Sequence, residues 1–306
     1  MIPALHTLPA ELIYQILDHL EVFSILLSCQ DVCRRLNNII ETYHRYRTLK
    51  ILHVSNNYIN LQGTKYLVDA LLENKTLTTL ILSGNSIRIR GVEYLANALL
   101  KNTTLITLDL SNNDISAVGA EHLAKTLQHN QTLSELKLTS NTIGDQGIEL
   151  LANALHNNKT LIMLSIGVNM ISDRGAQYLA NALQYNIALK TLGLASNTIG
   201  SKGVKYLANA LKYNKTLFTL NLARNDINNH GAKYLANALQ ENQKEEKSRE
   251  KLHYIIKVIC ESFDRSKTTF HIIDIYAIEI FDPTSCVYYF VKVLNYALIS
   301  RKKQTI

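Results

Sequence analysis

The sequence has no tryptophan, only three prolines and only four cysteines among its 306 residues. Cys29, Cys33, Cys260 and Cys286 lack the paired spacing of a zinc site and are too sparse for a disulfide framework. Free thiols in such small number are typical of a reducing compartment. We therefore expect a cytoplasmic location, with the nucleus as an additional one.

Long apolar segments and concentrated charge are also missing. The most apolar stretch, residues 270–299, is interrupted by Asp274, Glu279, Asp282 and Lys292, so we expect no membrane partner. The N-terminus, MIPALHTLPAEL, has no basic region ahead of its apolar residues, so we do not expect a signal peptide. The net charge of +7 is spread along the chain without a basic arm, which argues against nucleic-acid binding.

Residue arrangements typical of catalysis are absent as well. The sequence has no nucleotide-binding loop, and its histidines do not fall at metal-ligand spacing with a glutamate beside them. Its acidic residues recur at repeat positions rather than as an isolated pair suited to general acid–base chemistry. We therefore expect a protein that is not an enzyme and that uses neither a cofactor nor a metal.

Self-similarity dominates the middle of the chain. Asparagine recurs at a spacing of 28 residues, at Asn57, Asn85, Asn113, Asn141, Asn169, Asn197 and Asn225, and glycine recurs likewise at Gly63, Gly91, Gly119, Gly147, Gly175, Gly203 and Gly231. A period of this length with the pattern L-x-x-L-x-L-x-x-N indicates a repeat solenoid. We expect seven repeats over residues 49–242, between an N-terminal module (residues 1–48) and a C-terminal tail or cap (residues 243–306).

Each repeat combines a short strand with a helix. In the second repeat, Leu77, Leu80 and Leu82 are spaced to point inward from a strand. Asn85 follows at the turn, where its amide can pair with backbone groups that the turn leaves without partners. After Gly91, apolar residues recur at helical spacing. Stacked repeats of this kind predict an α/β solenoid with a parallel sheet inside and helices outside.

The repeat pattern N-x-I-x-x-x-G, followed by Y-L-A-N-A-L and N-x-T-L, resembles the ribonuclease-inhibitor subfamily of leucine-rich repeats. That subfamily includes NOD-like receptors and Ran GTPase-activating proteins. The resemblance implies a horseshoe-shaped arc that binds other macromolecules. It does not imply a particular partner, because one fold serves many functions.

Partner-binding residues are expected on the concave face, at strand positions that point away from the core. These positions are mostly small and polar, and the candidates among them are His53, Ile81, Asp109, Glu135, Lys137, Met163 and Asn221. Arg88, Arg90 and Arg224 depart from the repeat pattern, and we place the first two in the turn after a strand. Ran GTPase activators carry functional residues in such turns, so the resemblance also allows a GTPase regulator.

Two further recurrences are assigned to the repeat itself. The sequence N-x-T, which is a glycosylation acceptor motif, recurs where each helix leads into the next strand, as at Asn102 and Asn158. Tyrosine recurs on the expected helices, as at Tyr94, Tyr178 and Tyr234. We interpret both as structural features, with the tyrosines on the outer helix surface.

The N-terminal module does not follow the repeat and reads as two or three short helices. Its motifs L-P-x-E-L (residues 8–12) and V-C-R-R (residues 32–35) resemble an F-box. The resemblance implies docking on the Skp-family adaptor of a cullin-based ubiquitin ligase, through Leu8, Pro9, Leu12, Ile16, Leu17 and Leu20. The alternative is a helical cap that covers the apolar end of the first repeat.

These patterns together predict a protein–protein interaction scaffold. The leading hypothesis is the substrate-recognition subunit of an SCF-type (Skp–cullin–F-box) ubiquitin ligase, which is a monomer outside its complex. Its partners would be the Skp-family adaptor and a protein substrate. The alternative is a stand-alone repeat protein or GTPase regulator resembling Ran GTPase activators or the ligand-sensing part of NOD-like receptors.

Overall fold

The computed structural model describes residues 49–246, 257–264, 269–278 and 290–293. Strands and helices alternate along the first of these ranges. The elements are β1 (Ile51–His53), α1 (Leu61–Glu73), β2 (Thr79–Ile81), α2 (Arg88–Leu99), β3 (Thr107–Asp109), α3 (Ala117–His129), β4 (Glu135–Lys137), α4 (Gly144–Asn157), β5 (Met163–Ser165), α5 (Asp173–Leu183), β6 (Thr191–Gly193), α6 (Ser201–Tyr213), β7 (Thr219–Asn221) and α7 (Asn229–Glu246).

The seven strands β1–β7 form one parallel sheet in chain order, with each strand paired to the next. The register places equivalent residues of neighbouring repeats side by side, so that Leu136 of β4 pairs with Leu108 of β3 and with Leu164 of β5. Each helix packs against the helices of the adjacent repeats. The predicted leucine-rich-repeat solenoid is therefore confirmed, whereas its assignment to the ribonuclease-inhibitor subfamily stays a prediction.

The sheet continues beyond the last repeat. Strand β8 (Lys257–Asp264) pairs in parallel with β7, and β9 (Thr269–Ile278) and β10 (Phe290–Val293) add antiparallel strands in sequence order. Helix α7 extends to Glu246, four residues beyond the predicted end of the repeats at residue 242. The division of the chain into three domains stays a prediction, as does the role of its last part as a cap.

A single apolar core runs the length of the repeats. Strand leucines such as Leu80 and Leu108 and turn isoleucines such as Ile87 are at most 1% exposed. The helices contribute leucine and alanine from one face, as expected for amphipathic helices that pack on a sheet. No repeat could bury these side chains alone, so each repeat depends on its neighbours for stability.

The recurring turn asparagines form a buried hydrogen-bonded ladder, as the sequence predicts. Asn141 accepts hydrogen bonds from the backbone N–H groups of Asn113 and Ile115, at 3.1 and 2.9 Å. Its amide nitrogen donates to the carbonyl oxygens of Leu110 and Leu138, at 3.1 and 2.9 Å. Each asparagine thus joins the turn of its own repeat to that of the preceding one, and it leaves few buried polar groups without a partner.

A second asparagine ladder holds the turns that lead from each helix to the next strand. Asn102 accepts from the N–H groups of Thr104 and Leu105, at 3.0 and 2.8 Å, and donates to the carbonyl oxygen of Leu71 at 3.1 Å. Asn158 makes the equivalent contacts and is also buried. The N-x-T recurrence is therefore explained by the structure of the turn, and these amides are not exposed to solvent.

The recurring glycines allow successive helices to approach each other closely. A Cβ atom on Gly147 would lie 2.5 Å from Cγ2 of Ile143 and 3.0 Å from Cα of Ala117 in the preceding helix. The second contact involves backbone, which cannot move aside as a flexible side chain can. We expect Gly147→Ala to lower the free energy of unfolding by about 1–3 kcal/mol through overpacking, as measured by urea denaturation.

The matched control for this prediction is Gln146→Ala. Gln146 precedes Gly147 in α4 but is exposed, so its replacement is expected to change the free energy of unfolding by no more than about 0.5 kcal/mol. At an exposed helical position, replacing glycine with alanine would instead raise the free energy of unfolding by up to about 1 kcal/mol. A gain of that size in Gly147→Ala would contradict the close approach of the helices.

Residues 1–48 lie outside the described residues. The predicted helical module and its adaptor-binding residues belong to this part of the chain, and their roles stay predictions. They are Leu8, Pro9, Leu12, Ile16, Leu17 and Leu20.

Candidate protein-binding surfaces

The inner face of the sheet carries a stripe of side chains that do not contribute to the core. Side chains alternate along a strand, so the two residues that flank each buried central leucine point away from the core. Those on β2–β7 are half-buried, and those on β1 are exposed. The structure places seven predicted partner-binding residues on this stripe, namely His53, Ile81, Asp109, Glu135, Lys137, Met163 and Asn221.

The centre of this concave stripe is charged. The register of β3 and β4 sets Asp109 beside Lys137 and Thr107 beside Glu135. The Thr107 hydroxyl donates to the Glu135 carboxylate at 3.3 Å, and Asp109 accepts from the backbone N–H of Ser111 at 2.9 Å. Within the described part of the chain, Lys137 forms no ion pair. Its ammonium group is thus free to pair with a carboxylate of a partner.

The two ends of the stripe differ from its centre. At the first repeats, Nε2 of His53 lies 2.9 Å from the Ser55 hydroxyl, which is 2.8 Å from the Ser83 hydroxyl. Toward the last repeats the flanking residues are small, as at Gly193, and Asn221 accepts from a backbone N–H group of its own turn. The stripe therefore offers a charged centre between a hydroxyl-rich end and a shallow end.

The three candidate arginines are not on this stripe. Arg88 and Arg90 lie in the first helical turn of α2, which begins at Arg88. The prediction that they occupy the loop between the strand and this helix is therefore wrong. In this repeat the helix begins three residues after the turn asparagine, Asn85, which is one residue earlier than in the first and third repeats. Arg88, its first residue, adopts a left-handed φ of 55°. Arg224 also has a left-handed conformation and lies after β7, five repeats away.

Arg88 and Arg90 border a groove at the carboxyl ends of the first strands. The groove is lined by Tyr58, Ser86 and Asp114, among others, and Nε of Arg88 lies 3.8 Å from Oδ2 of Asp114. Both charged side chains are more than 70% exposed, so this ion pair contributes little to stability. The structure separates the groove from Arg224, and the three arginines do not form one site.

Two sets of exposed apolar residues escaped the sequence analysis. Val168 and Met170 follow β5 in left-handed conformations that are rare for such residues, and both are exposed. Tyr185, Ile187 and Tyr213 are exposed at the opposite edge of the sheet, where each helix leads into the next strand. Each stands where other repeats carry mainly polar residues, and this departure from the repeat was the signal that could have revealed them.

The tyrosines predicted on the outer surface do lie on the helices, and three of them are contacted by cations. Nζ of Lys65 is 5.3 Å from the ring centre of Tyr94, and Nζ of Lys205 is 5.6 Å from that of Tyr234, each across neighbouring repeats. Within α5, Nε of Arg174 donates to the Tyr178 hydroxyl at 2.9 Å. This hydrogen bond raises the pKa of Arg174. The contacts of Tyr94 and Tyr234 join neighbouring repeats, whereas that of Tyr178 lies within one helix.

A separate ion pair marks the outer face of α3. Nζ of Lys125 lies 2.8 Å from Oε1 of Glu121, one helical turn away. The hydrogen bond from Lys125 lowers the pKa of the Glu121 carboxyl, and the lysine charge acts in the same direction. Both groups face solvent, so the pair belongs to the solvated surface and not to a site with perturbed acid–base chemistry.

Within the described ranges, no cluster of three histidine, cysteine or acidic side chains could bind a metal ion. None of the helices in the same ranges is both long enough and apolar enough to cross a bilayer.

Comparisons with known families agree with the repeat architecture. The F-box-like family matches residues 5–51, and the Leucine Rich repeat family matches residues 73–96, 101–124, 129–152, 185–208 and 213–236. The unmatched repeat between the third and fourth matches still forms β5 and α5, because Leu161, Leu164 and Asn169 occupy their usual buried positions. No curated protein sequence matches the chain.

Two solved structures are among those that match the chain. The tropomodulin C-terminal domain of Caenorhabditis elegans is 19% identical, with a TM-score of 0.40 over 46% of this chain and 88% of that one. Leiomodin-1 actin-binding site 2 is 18% identical, with a TM-score of 0.34 over 68% of this chain and 91% of that one.

The parts identified so far define the class of protein. An F-box-like domain at residues 5–51 is followed by leucine-rich repeats, and the repeats form an open solenoid. The chain thus combines an F-box-like domain with leucine-rich repeats. Both modules are typical of non-enzymatic interaction proteins, and the chain is a protein-interaction scaffold.

Proposed function

We propose that this chain is the substrate-recognition subunit of an SCF-type ubiquitin ligase. The observation that supports the proposal is the direct junction of its two modules. The F-box-like match ends at residue 51, which is the first residue of β1, so no linker separates it from the first repeat. F-box domains generally bind Skp-family adaptors and leucine-rich repeats bind proteins, and this chain carries both modules next to each other in sequence.

The concave stripe is the surface that we assign to the substrate. Glu135 and Lys137 at its centre are half-exposed and contribute nothing to the apolar core. Met163 lies beside Glu135 across β4 and β5, and it adds an adaptable apolar contact. A folded protein with a convex surface of mixed charge is the class of substrate that fits this arrangement.

The deciding experiment is a pulldown of the full chain on an immobilised Skp-family adaptor. We expect wild type to be retained and the variant Leu8→Ala/Pro9→Ala to be lost, because the resemblance assigns these two side chains to apolar surface buried on the adaptor. The matched control is Glu135→Ala/Lys137→Ala, which alters the concave stripe and is expected to be retained as well as wild type.

Failure of wild type to bind the adaptor would reject the ligase proposal. Residues 1–48 would then be interpreted as a cap of the solenoid, and Leu8→Ala/Pro9→Ala would lower the thermal stability of the repeats. The remaining candidate would be a stand-alone repeat protein, including the GTPase regulator in which Arg88 and Arg90 act. The proposal includes a cytoplasmic or nuclear location, which fluorescence imaging measures. It also includes a monomeric state outside the complex, which light scattering measures.

A further inference from the structure

The edge of the sheet at the amino ends of the strands carries an exposed apolar cluster. We define the tyrosine cluster as Tyr185, Ile187 and Tyr213, which are 63%, 69% and 64% exposed. Tyr185 and Tyr213 occupy the same position in neighbouring repeats. Earlier repeats have polar residues at this position, namely Glu73, Lys101, His129 and Asn157. Exposed tyrosines gathered on an otherwise polar edge are characteristic of an interaction site.

The backbone beneath the tyrosine cluster is held rigidly. Asn186, between Tyr185 and Ile187, accepts from the N–H groups of Ala188 and Leu189 at 3.0 and 2.8 Å. Its own carbonyl oxygen accepts from the side chain of Asn214, the residue after Tyr213, at 3.1 Å. The two turns are therefore fixed to each other. A pre-organised surface loses less entropy on binding than a mobile one does.

An aromatic contact orders part of the cluster further. The rings of His156 and Tyr185 have centroids 4.7 Å apart and are tilted by 44°. His156 belongs to α4 of the preceding repeat, so this contact joins the tyrosine cluster to a third repeat. Tyr185 remains largely exposed despite this contact, so its outer surface is free for a partner.

The charges around the tyrosine cluster are positive. Lys159 and Lys215 stand at the position of Ile187 in the two neighbouring repeats, and Lys190 follows three residues after Ile187. Nearby, Nζ of Lys212 lies 2.9 Å from Oε2 of Glu241, so that carboxylate is already paired. Lys159 and Lys190 form no ion pair with any described residue. This excess of cations favours a partner that brings carboxylates.

We propose that the tyrosine cluster is a second protein-binding surface, which takes an acidic polypeptide segment. An apolar side chain of the segment contacts Tyr185, Ile187 and Tyr213, and its carboxylates pair with Lys159 and Lys190. A nucleic acid fits less well, because the branched side chain of Ile187 between the tyrosines offers no face on which a base can stack. The surface lies outside the concave stripe and does not depend on docking to an adaptor.

The test measures binding of the full chain by fluorescence anisotropy. The probe is a fluorescein-labelled peptide in which leucines alternate with pairs of glutamates, and its control has glutamine in place of glutamate. We expect wild type to bind the acidic peptide, and Tyr185→Ala/Tyr213→Ala to weaken this binding at least about tenfold because it removes the aromatic contact. We expect Lys159→Ala/Lys190→Ala to weaken it and to reduce its dependence on salt concentration.

The matched control variant is Tyr58→Ala. Tyr58 is 88% exposed but lies at the opposite edge of the sheet, so its replacement is expected to leave peptide binding unchanged. The proposal is overturned if wild type does not bind the acidic peptide, or if it binds the glutamine peptide equally well. Unchanged binding by the tyrosine variant, or tighter binding of a single-stranded thymidine oligonucleotide, also overturns it. None of these results alters the outcome of the adaptor pulldown.

Discussion

Replacing Asn141 by alanine is expected to lower the free energy of unfolding by about 4 kcal/mol. The N–H groups of Asn113 and Ile115 would lose the oxygen that accepts their hydrogen bonds. The carbonyl of Leu110 would lose a donor, whereas the carbonyl of Leu138 would keep the one supplied by Asn169. Three backbone groups therefore lose a partner, and each buried group left unsatisfied costs about 1–3 kcal/mol.

Urea denaturation followed by circular dichroism measures this loss, with Asn153→Ala as the matched control. Asn153 is an exposed residue of the adjacent helix α4, and alanine there is expected to raise the free energy of unfolding by no more than about 0.7 kcal/mol through helix propensity. A loss below about 1 kcal/mol in Asn141→Ala would mean that water replaces the amide, and that the ladder is not a main source of stability.

The second large effect is expected for Leu136→Ala, with a loss of about 3–5 kcal/mol in the free energy of unfolding. Leu136 is fully buried at the centre of β4, between Leu108 and Leu164. Removing its side chain leaves a cavity that the surrounding repeats can close only in part, because the strand pairing on both sides holds the backbone in place. Because the core is continuous, the cavity weakens the contacts of the fourth repeat with both of its neighbours.

Leu52→Ala is the matched control, because Leu52 is the equivalent residue of the first repeat. It is 7% exposed, and within the described ranges its strand pairs on one side, with Leu80. It also borders a small cavity, so part of its surface already lacks contacts. We expect its loss of stability to be smaller than that of Leu136→Ala by at least about 1 kcal/mol. Equal losses for the two variants would contradict the dependence on neighbouring repeats.

Much of the fold could be predicted because each structural position occurs seven times. Leu80 and Leu108, or Asn85 and Asn113, have the same surroundings in successive repeats, and the 28-residue spacing makes those surroundings evident. The start of α2 could not be predicted in this way. It depends on whether Arg88 adopts a left-handed conformation, and this small difference in backbone energy leaves no repeated pattern.

The candidate sites were less predictable than the fold. The concave positions follow from strand alternation, so the placement of Glu135 and Lys137 could be predicted from the sequence. The grouping of the candidates could not, and the structure separates Arg88 from Arg224 by five repeats. The tyrosine cluster was missed because Tyr185 and Tyr213 are 28 residues apart, and only stacking of the repeats brings such residues together.

The one-dimensional pattern was thus sufficient for the solenoid, its core, its turn asparagines and the recognition of an F-box-like segment. These features rest on local periodicity and on short motifs, both of which are complete within a few tens of residues. The hydrogen-bond partners of Asn141, the contact of His156 with Tyr185 and the ion pair of Lys212 with Glu241 required the folded chain. They join residues of different repeats, and their distances are set by how the repeats stack on one another.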